Sequence, residues 1–233
     1  MGVKLRFRSF TAIKDAETCE KYLEGHVQVL KDYGITNITT NNRQWMTLPN
    51  VHGIVAETEN GEVVGGVRVH IADGVHPLPV EKAVGTMDPN VATIINEYFD
   101  DGTGELCGLW NAKSVAGIGI SILLVRAGIA IVNQVRLASL FTICADYTLP
   151  MVKKVGFVVE DGLGKGGEFV YPNDSYIARV LRKMNAETLE TAEEFDRNRI
   201  FDLRNNPVQH TFEMGPKGEV EIDYQLVIPK YDD

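Results

Sequence analysis

The chain has 233 residues, 44% of them hydrophobic and 24% charged, with a formal net charge of −9 at pH 7. That is the composition of one large globular domain, or of one domain with an appendage. The acidic balance argues against a nucleic-acid partner, which needs a basic face to neutralise phosphates, and it is compatible with a cationic substrate.

Lys4–Phe10 alternates basic and apolar residues, as a half-buried strand does. Thr11 or Asp15 can cap a helix from Ala16 to about Tyr33, with Gly34 as its stop. Trp45 and Met46 sit in a polar loop or short helix, Asn37–Leu48. Val51–Glu57 and Glu62–Ile71 read as strands joined through Asn60-Gly61, the strongest short hairpin signal. Asp88-Pro89 predicts a helix of about a dozen residues ending near Phe99, broken by the glycines at 102 and 104.

Strand Glu105–Trp110 then enters a loop with Gly117 and Gly119, and helix Ile118–Gln134 starts there. Free backbone N–H groups and a positive helix end make such a turn a seat for phosphate. The helix is apolar nearly all round and should be buried on most sides. Leu137–Ala145 is a continuous apolar run, as in a strand covered on both faces. Thr148–Val155 predicts a short helix, and Gly156-Phe157 leads into another strand. Further on come a Gly-rich loop, Asp161–Gly167, one or two strands within Glu168–Met184, and a charged helix, Glu187–Arg204, capped by Asn185. A last hairpin pairs Thr211–Met214 with Glu219–Ile228. The Gly-rich loop lacks the Lys-Ser/Thr ending of a P-loop and reads as a flexible loop or a lid over an acceptor site.

Cys19, Cys107 and Cys144 have no paired spacing, so a reducing, cytoplasmic setting is expected. The five histidines have no metal-ligand spacing, and no metal is expected. No leader is expected at the start, and the apolar run Ile118–Val132 is too short for a bilayer and contains Arg126.

Residues 1–160 resemble the GNAT superfamily of acyl-CoA N-acyltransferases. Three matches carry the resemblance: the Asn60-Gly61 hairpin followed by Val63-Val64-Gly65-Gly66-Val67; Ser114-Val115-Ala116-Gly117-Ile118-Gly119, where the family has Gln/Arg-x-x-Gly-x-Gly/Ala; and Lys153-Lys154-Val155-Gly156-Phe157, like the family's Gly-Phe ending. The resemblance implies a mixed, mostly antiparallel central sheet flanked by helices, an α+β fold, over residues 1–171. Residues 172–233 form a C-terminal extension of strand, helix and hairpin.

It further implies acetyl-CoA or another acyl-CoA as cosubstrate. The backbone of Val115, Ala116, Gly117, Ile118, Gly119 and Ile120 would cradle the pyrophosphate. The pantetheine arm would lie where strand Glu105–Asn111 splays from Leu137–Ala145. A backbone N–H near Leu109 or Trp110 would stabilise the thioester oxyanion. Ser114 stands in the Gln/Arg position, with Lys113 as a substitute cation. Val152 stands where the family often has a general-acid Tyr, which leaves Tyr147 as the nearest substitute, and Asp146 replaces a common Asn. Glu105 or Asp146 would accept the amine proton; strand-start carboxylate and helix cap are their structural alternatives. His70 falls on a substrate-side strand and reads as a surface or core-edge residue or as a substrate contact.

The expected activity is acyl transfer, most simply acetyl transfer, to a small-molecule amine, with no nucleic-acid or membrane partner. Two alternatives stay open: a CoA-binding protein without catalysis, and an N-acyl amino acid or acyl-homoserine-lactone type synthase. The segments 72–104 and 171–233 would shape an acceptor pocket or a homodimer interface.

Overall fold

Residues 3–35, 38 and 41–229 are described here from a computed structural model. In chain order the elements are β1 (Val3–Thr11), α1 (Ala16–Asp32), β2 (Val51–Thr58), β3 (Val63–Ile71), α2 (Pro79–Val84), α3 (Asn90–Asn96), β4 (Thr103–Asn111) and α4 (Ile120–Ile131). Then follow β5 (Ser139–Ala145), α5 (Leu149–Lys154), β6 (Val158–Val159), β7 (Glu168–Val170), β8 (Ile177–Lys183), α6 (Glu194–Asn205), β9 (Val208–Gly215) and β10 (Gly218–Gln225).

The strands form a 10-stranded sheet in the order β6-β8-β5-β4-β3-β2-β1-β10-β9, with β7 also paired to β8. β4–β5 and β1–β10 run parallel, and the other pairs are antiparallel. The expected mixed, mostly antiparallel sheet is therefore present. The sheet continues past Tyr171: β8 lies beside β5, and β10 lies beside β1.

Helix α4 covers one face. Ile120, Leu123, Leu124, Val125, Ala127, Ile129 and Ala130 join Leu5, Phe7, Ile54, Val67 and Leu106 in the largest core cluster. Its all-round apolar surface is explained by α6, which packs on its far side and contributes Ile200 and Leu203 to the same cluster. Truncating a side chain such as Leu124, fully buried there, should cost about 2–5 kcal/mol. Helix α1 lies on the opposite face, where Cys19, Tyr22 and Leu23 meet Phe10, Trp45, Val55 and Trp110. Its start is fixed by Asp15, whose carboxylate accepts the Thr18 N–H at 3.0 Å.

Several boundaries differ from the sequence pattern. The expected helix from Asp88 to Phe99 is only the seven residues of α3, and a six-residue helix, α2, precedes it unannounced. Asp88 accepts the Asn90 N–H at 3.0 Å through one oxygen and the Gly164 N–H at 2.8 Å through the other. That bond anchors the Gly-rich loop, and Leu163 is buried against Phe141 and Phe169. The charged helix begins at Glu194 instead of Glu187. Leu189 breaks it there, held at φ +58° so that its side chain can be buried. The polar segment 37–48 contains a 3-10 turn over Gln44–Thr47, while residues 36, 37, 39 and 40 lie outside the described residues.

Candidate functional site

β4 and β5 pair only over Thr103–Glu105 and Ser139–Phe141. One further tie, the Thr142 hydroxyl donating to the Leu106 carbonyl at 2.8 Å, marks the point where they part. Beyond it β4 bulges. Its register against β3 slips between Gly66 and Arg68, and Gly108 takes φ +61°, a conformation costly for any residue with a Cβ. A Cβ on Gly108 would also stand 2.6 Å from the Tyr22 oxygen, whose hydroxyl donates to the Gly108 carbonyl.

The gap so opened is a cleft of about 190 Å³ through the sheet. Leu106, Val125, Met151 and Val152 line its apolar side; Glu105, His26, Gly108 and Leu109 also line it, and Tyr147 stands exposed at its edge.

Glu105 is fully buried. One carboxylate oxygen accepts the Val80 N–H at 2.6 Å, and the other, Oε1, has no hydrogen-bond partner among the described residues. Burial raises its pKa to about 8, although Val80 and Arg68 pull the other way. His26, on α1, is held neutral, with burial lowering its pKa to about 3.

A second cavity, of about 420 Å³, adjoins on the α1 side of the sheet. Arg68, His70, His76, Lys82, Gln44 and Trp45 line it, and Pro79 belongs to both walls. Arg68 is completely buried in the interior of β3, its guanidinium 4.0 Å above the Trp45 ring and 5.3 Å from that of Tyr22. A charged residue mid-strand in an apolar run was the visible sign of this pocket, and the sequence reading did not use it. Nor did it single out His26, whose helical position alone says nothing of the cleft.

At the α4 end, Lys113, Ser114 and Val115 form a 3-10 turn closed by the N–H groups of Val115 and Ala116. Those of Gly117, Ile118, Gly119 and Ile120 make no hydrogen bond among the described residues. Gly117 (φ +77°) and Gly119 (φ +93°) let this backbone turn into α4. Asn111 braces the turn by accepting the Ser121 hydroxyl at 2.7 Å. Lys113 leans away to Asp32 at 2.9 Å. A different cation stands over the loop: Lys217, in the β9–β10 turn, donates to the Ala116 carbonyl at 2.9 Å. No local signal connects those two positions.

Of the other expected site residues, Trp110 is packed against Tyr22, ring centroids 5.9 Å apart, and is not part of the cleft wall. Asp146 pairs with Arg179 at the surface, also outside the wall. Glu105, Leu109 and Tyr147 come together around the cleft. Among the described residues no group of His, Cys, Asp or Glu is arranged to hold a metal ion, and no described helix is long and apolar enough to cross a membrane.

No family model and no curated protein matches the sequence. Solved structures do match the fold. FeeM, an N-acyl amino acid synthase from uncultured soil microbes, aligns at TM-score 0.57 with 14% identity over 80% of this chain and 98% of its own. The CoA-dependent acyl-homoserine lactone synthase BjaI, with SAM and isopentyl-CoA, aligns at TM-score 0.54 with 13% identity over 99% of this chain and 96% of its own. An acyl-CoA N-acyltransferase from Pseudomonas aeruginosa aligns at TM-score 0.52 with 12% identity over 77% of this chain and 99% of its own. The chain has the GNAT fold.

Proposed function

We propose that this protein is an acyl-CoA-dependent N-acyltransferase acting on a small-molecule amine. The observation that carries the reading is the parting of β4 from β5 with buried Glu105 at its root. The gap suits a pantetheine arm and an acyl chain, since Leu106, Val125, Met151 and Val152 make its wall apolar. The open N–H groups of Gly117–Ile120, at the positive end of α4, suit a pyrophosphate.

In the reaction the amine nitrogen attacks the thioester carbon, and the carbon–sulfur bond breaks to give an amide and CoA thiolate. The amine loses one proton to Glu105, whose raised pKa makes it a competent base near neutral pH. The thiolate gains one from Tyr147 or from water. The carbonyl oxygen takes up negative charge in the step, and a backbone N–H at the Gly108–Leu109 bulge is the nearest candidate donor. Free Cys19, Cys107 and Cys144 suit a reducing compartment, and we assign the activity to the cytoplasm.

Val152 in the cleft wall, where the resemblance implies a Tyr, favours a second reading, CoA binding without transfer. Calorimetry with acetyl-CoA and octanoyl-CoA tests binding, and thiol release over a panel of amines tests transfer. Absence of binding to either thioester would overturn the whole proposal; binding without thiol release with any amine would leave the second reading.

A further inference from the structure

The cavity beside the thioester cleft is a local inversion of the charge of the chain. The protein carries a formal charge of −9. Yet the residues lining this cavity include Arg68, Lys82, His70 and His76 and no Asp or Glu. Of the carboxylates around it, Asp73 pairs with the lining residue His76 at Nδ1, 2.8 Å, Glu81 accepts the Leu78 N–H at 2.6 Å, and Glu105 stands across the β3–β4 ladder from His70 in the adjoining cleft. Lys82 is exposed on α2 and makes no ion pair among the described residues. His70 is 6% exposed, and its Nε2 has no hydrogen-bond partner among the described residues although it lines the cavity. A buried polar nitrogen left without a partner costs about 1–3 kcal/mol, which a ligand able to hydrogen-bond there would relieve.

Position relative to the cleft then sets the ligand's size. His70 and Glu105 are register partners across β3 and β4, and Pro79 belongs to both cavities. A molecule held in the cationic cavity therefore needs only a short span to reach the carboxylate at the root of the cleft.

We propose that this cavity takes the carboxylate of the acceptor, so that the substrate is an amino-acid-type molecule whose amine points to Glu105 while its carboxylate faces Arg68, His70 and Lys82. The inference rests on the N-acyltransferase reading of the adjoining cleft and names the acceptor class for it. Arg68 supplies a buried positive charge to the carboxylate, and His70 Nε2 is a ring nitrogen without a hydrogen-bond partner among the described residues. Gln44 and Thr47 at the rim are left to read the rest of the molecule.

The test uses product-like probes, so it needs no turnover. N-octanoyl-glycine, N-octanoyl-serine and N-octanoyl-phenylalanine are titrated calorimetrically against the corresponding primary amides, on the full chain and on Lys82→Glu. Lys82 is exposed, so the variant should fold, and its thermal unfolding is compared with the parent. At least one acid should bind about tenfold or more tighter than its amide, and Lys82→Glu should remove most of that preference. Equal binding of acid and amide, no binding of any acid, or a preference untouched by Lys82→Glu each overturns the proposal. So does displacement of the acid by millimolar inorganic phosphate, which would mark a phosphate pocket. Acetyl-CoA is titrated separately. If it fails to bind while the acid preference and its loss in Lys82→Glu hold, the transferase reading falls and the anion pocket stands.

Discussion

Glu105 and His70 face each other across the β3–β4 ladder, both buried, and each leaves one side-chain polar atom without a hydrogen-bond partner among the described residues. Two such atoms on neighbouring strands stand at the junction of an apolar cleft and a cationic cavity. Buried polar groups are normally satisfied, and the acceptor proposed above would supply a partner to each of these two atoms.

Glu105→Gln should lower kcat/KM by about 10²–10⁴-fold, the usual worth of a general base, while leaving acyl-CoA affinity within about twofold. In the parent the rate should rise with pH and level off above about 8, because the carboxylate must be ionised to accept a proton. Thiol-release rates from pH 6 to 9 would show this limb in the parent and its absence in the variant. A limb that persists in Glu105→Gln would assign the base elsewhere.

Stability should peak near pH 6.5. Burial holds His26 at about 3 and His52 at about 4, and it lowers His70 well below the ordinary 6.5. The unfolded chain therefore binds more protons, and stability is lost as pH falls from about 6.5 toward 3. Glu105 acts in the opposite direction. Its pKa is raised from 4.5 to about 8, so its contribution is complete below 4.5 and is lost as pH climbs to 8. Urea midpoints measured across this range should fall on both sides, and Glu105→Gln should flatten only the alkaline side.

Lys217→Glu should weaken acetyl-CoA binding by about fivefold to tenfold, with little change in thermal stability, since it reverses an exposed charge beside the glycine loop. The effect should shrink at high salt, where exposed charges are screened. A Kd unchanged at low ionic strength would show that the β9–β10 turn only braces the loop.

Arg126→Met should destabilise the protein by about 3–5 kcal/mol. Arg126 leaves α4 to meet Asp196 of α6 at 2.7 Å, and the Asp196 side chain is only 4% exposed. Removing the cation strands a buried carboxylate. The double variant Arg126→Met/Asp196→Leu should recover most of the loss in chemical denaturation, which a purely steric role for Arg126 would not allow.

Local physics made much of this legible beforehand. Asn60-Gly61, the two glycines before α4 and the alternation in β1 each act within a few residues, and the corresponding hairpin, turn and strand are where the pattern puts them. The misread boundaries came from distant partners. α6 starts late because Leu189 is buried in the core, and Asp88, besides Asn90, also holds the distant Gly164. The cationic cavity gathers Gln44, Arg68 and Lys82 from three separate segments, and Lys217 reaches Ala116 from 101 positions away. The net charge, compatible with a cationic substrate, is a sum over the chain and says nothing of where Arg68 and Lys82 gather.

The parallel seating of β10 against β1 has a consequence for how the protein is made. Val3–Arg8 find their partners at Val220–Gln225, and Ser9 Oγ donates to the Val227 carbonyl 218 positions later. During synthesis β1 must wait with one edge uncovered until almost all the remaining strands have left the ribosome. The turn that carries Lys217 arrives with that final strand. On the proposed reading, a nascent chain would bind acyl-CoA only after its sheet has been completed, and premature stops upstream of β9 should yield aggregation-prone fragments.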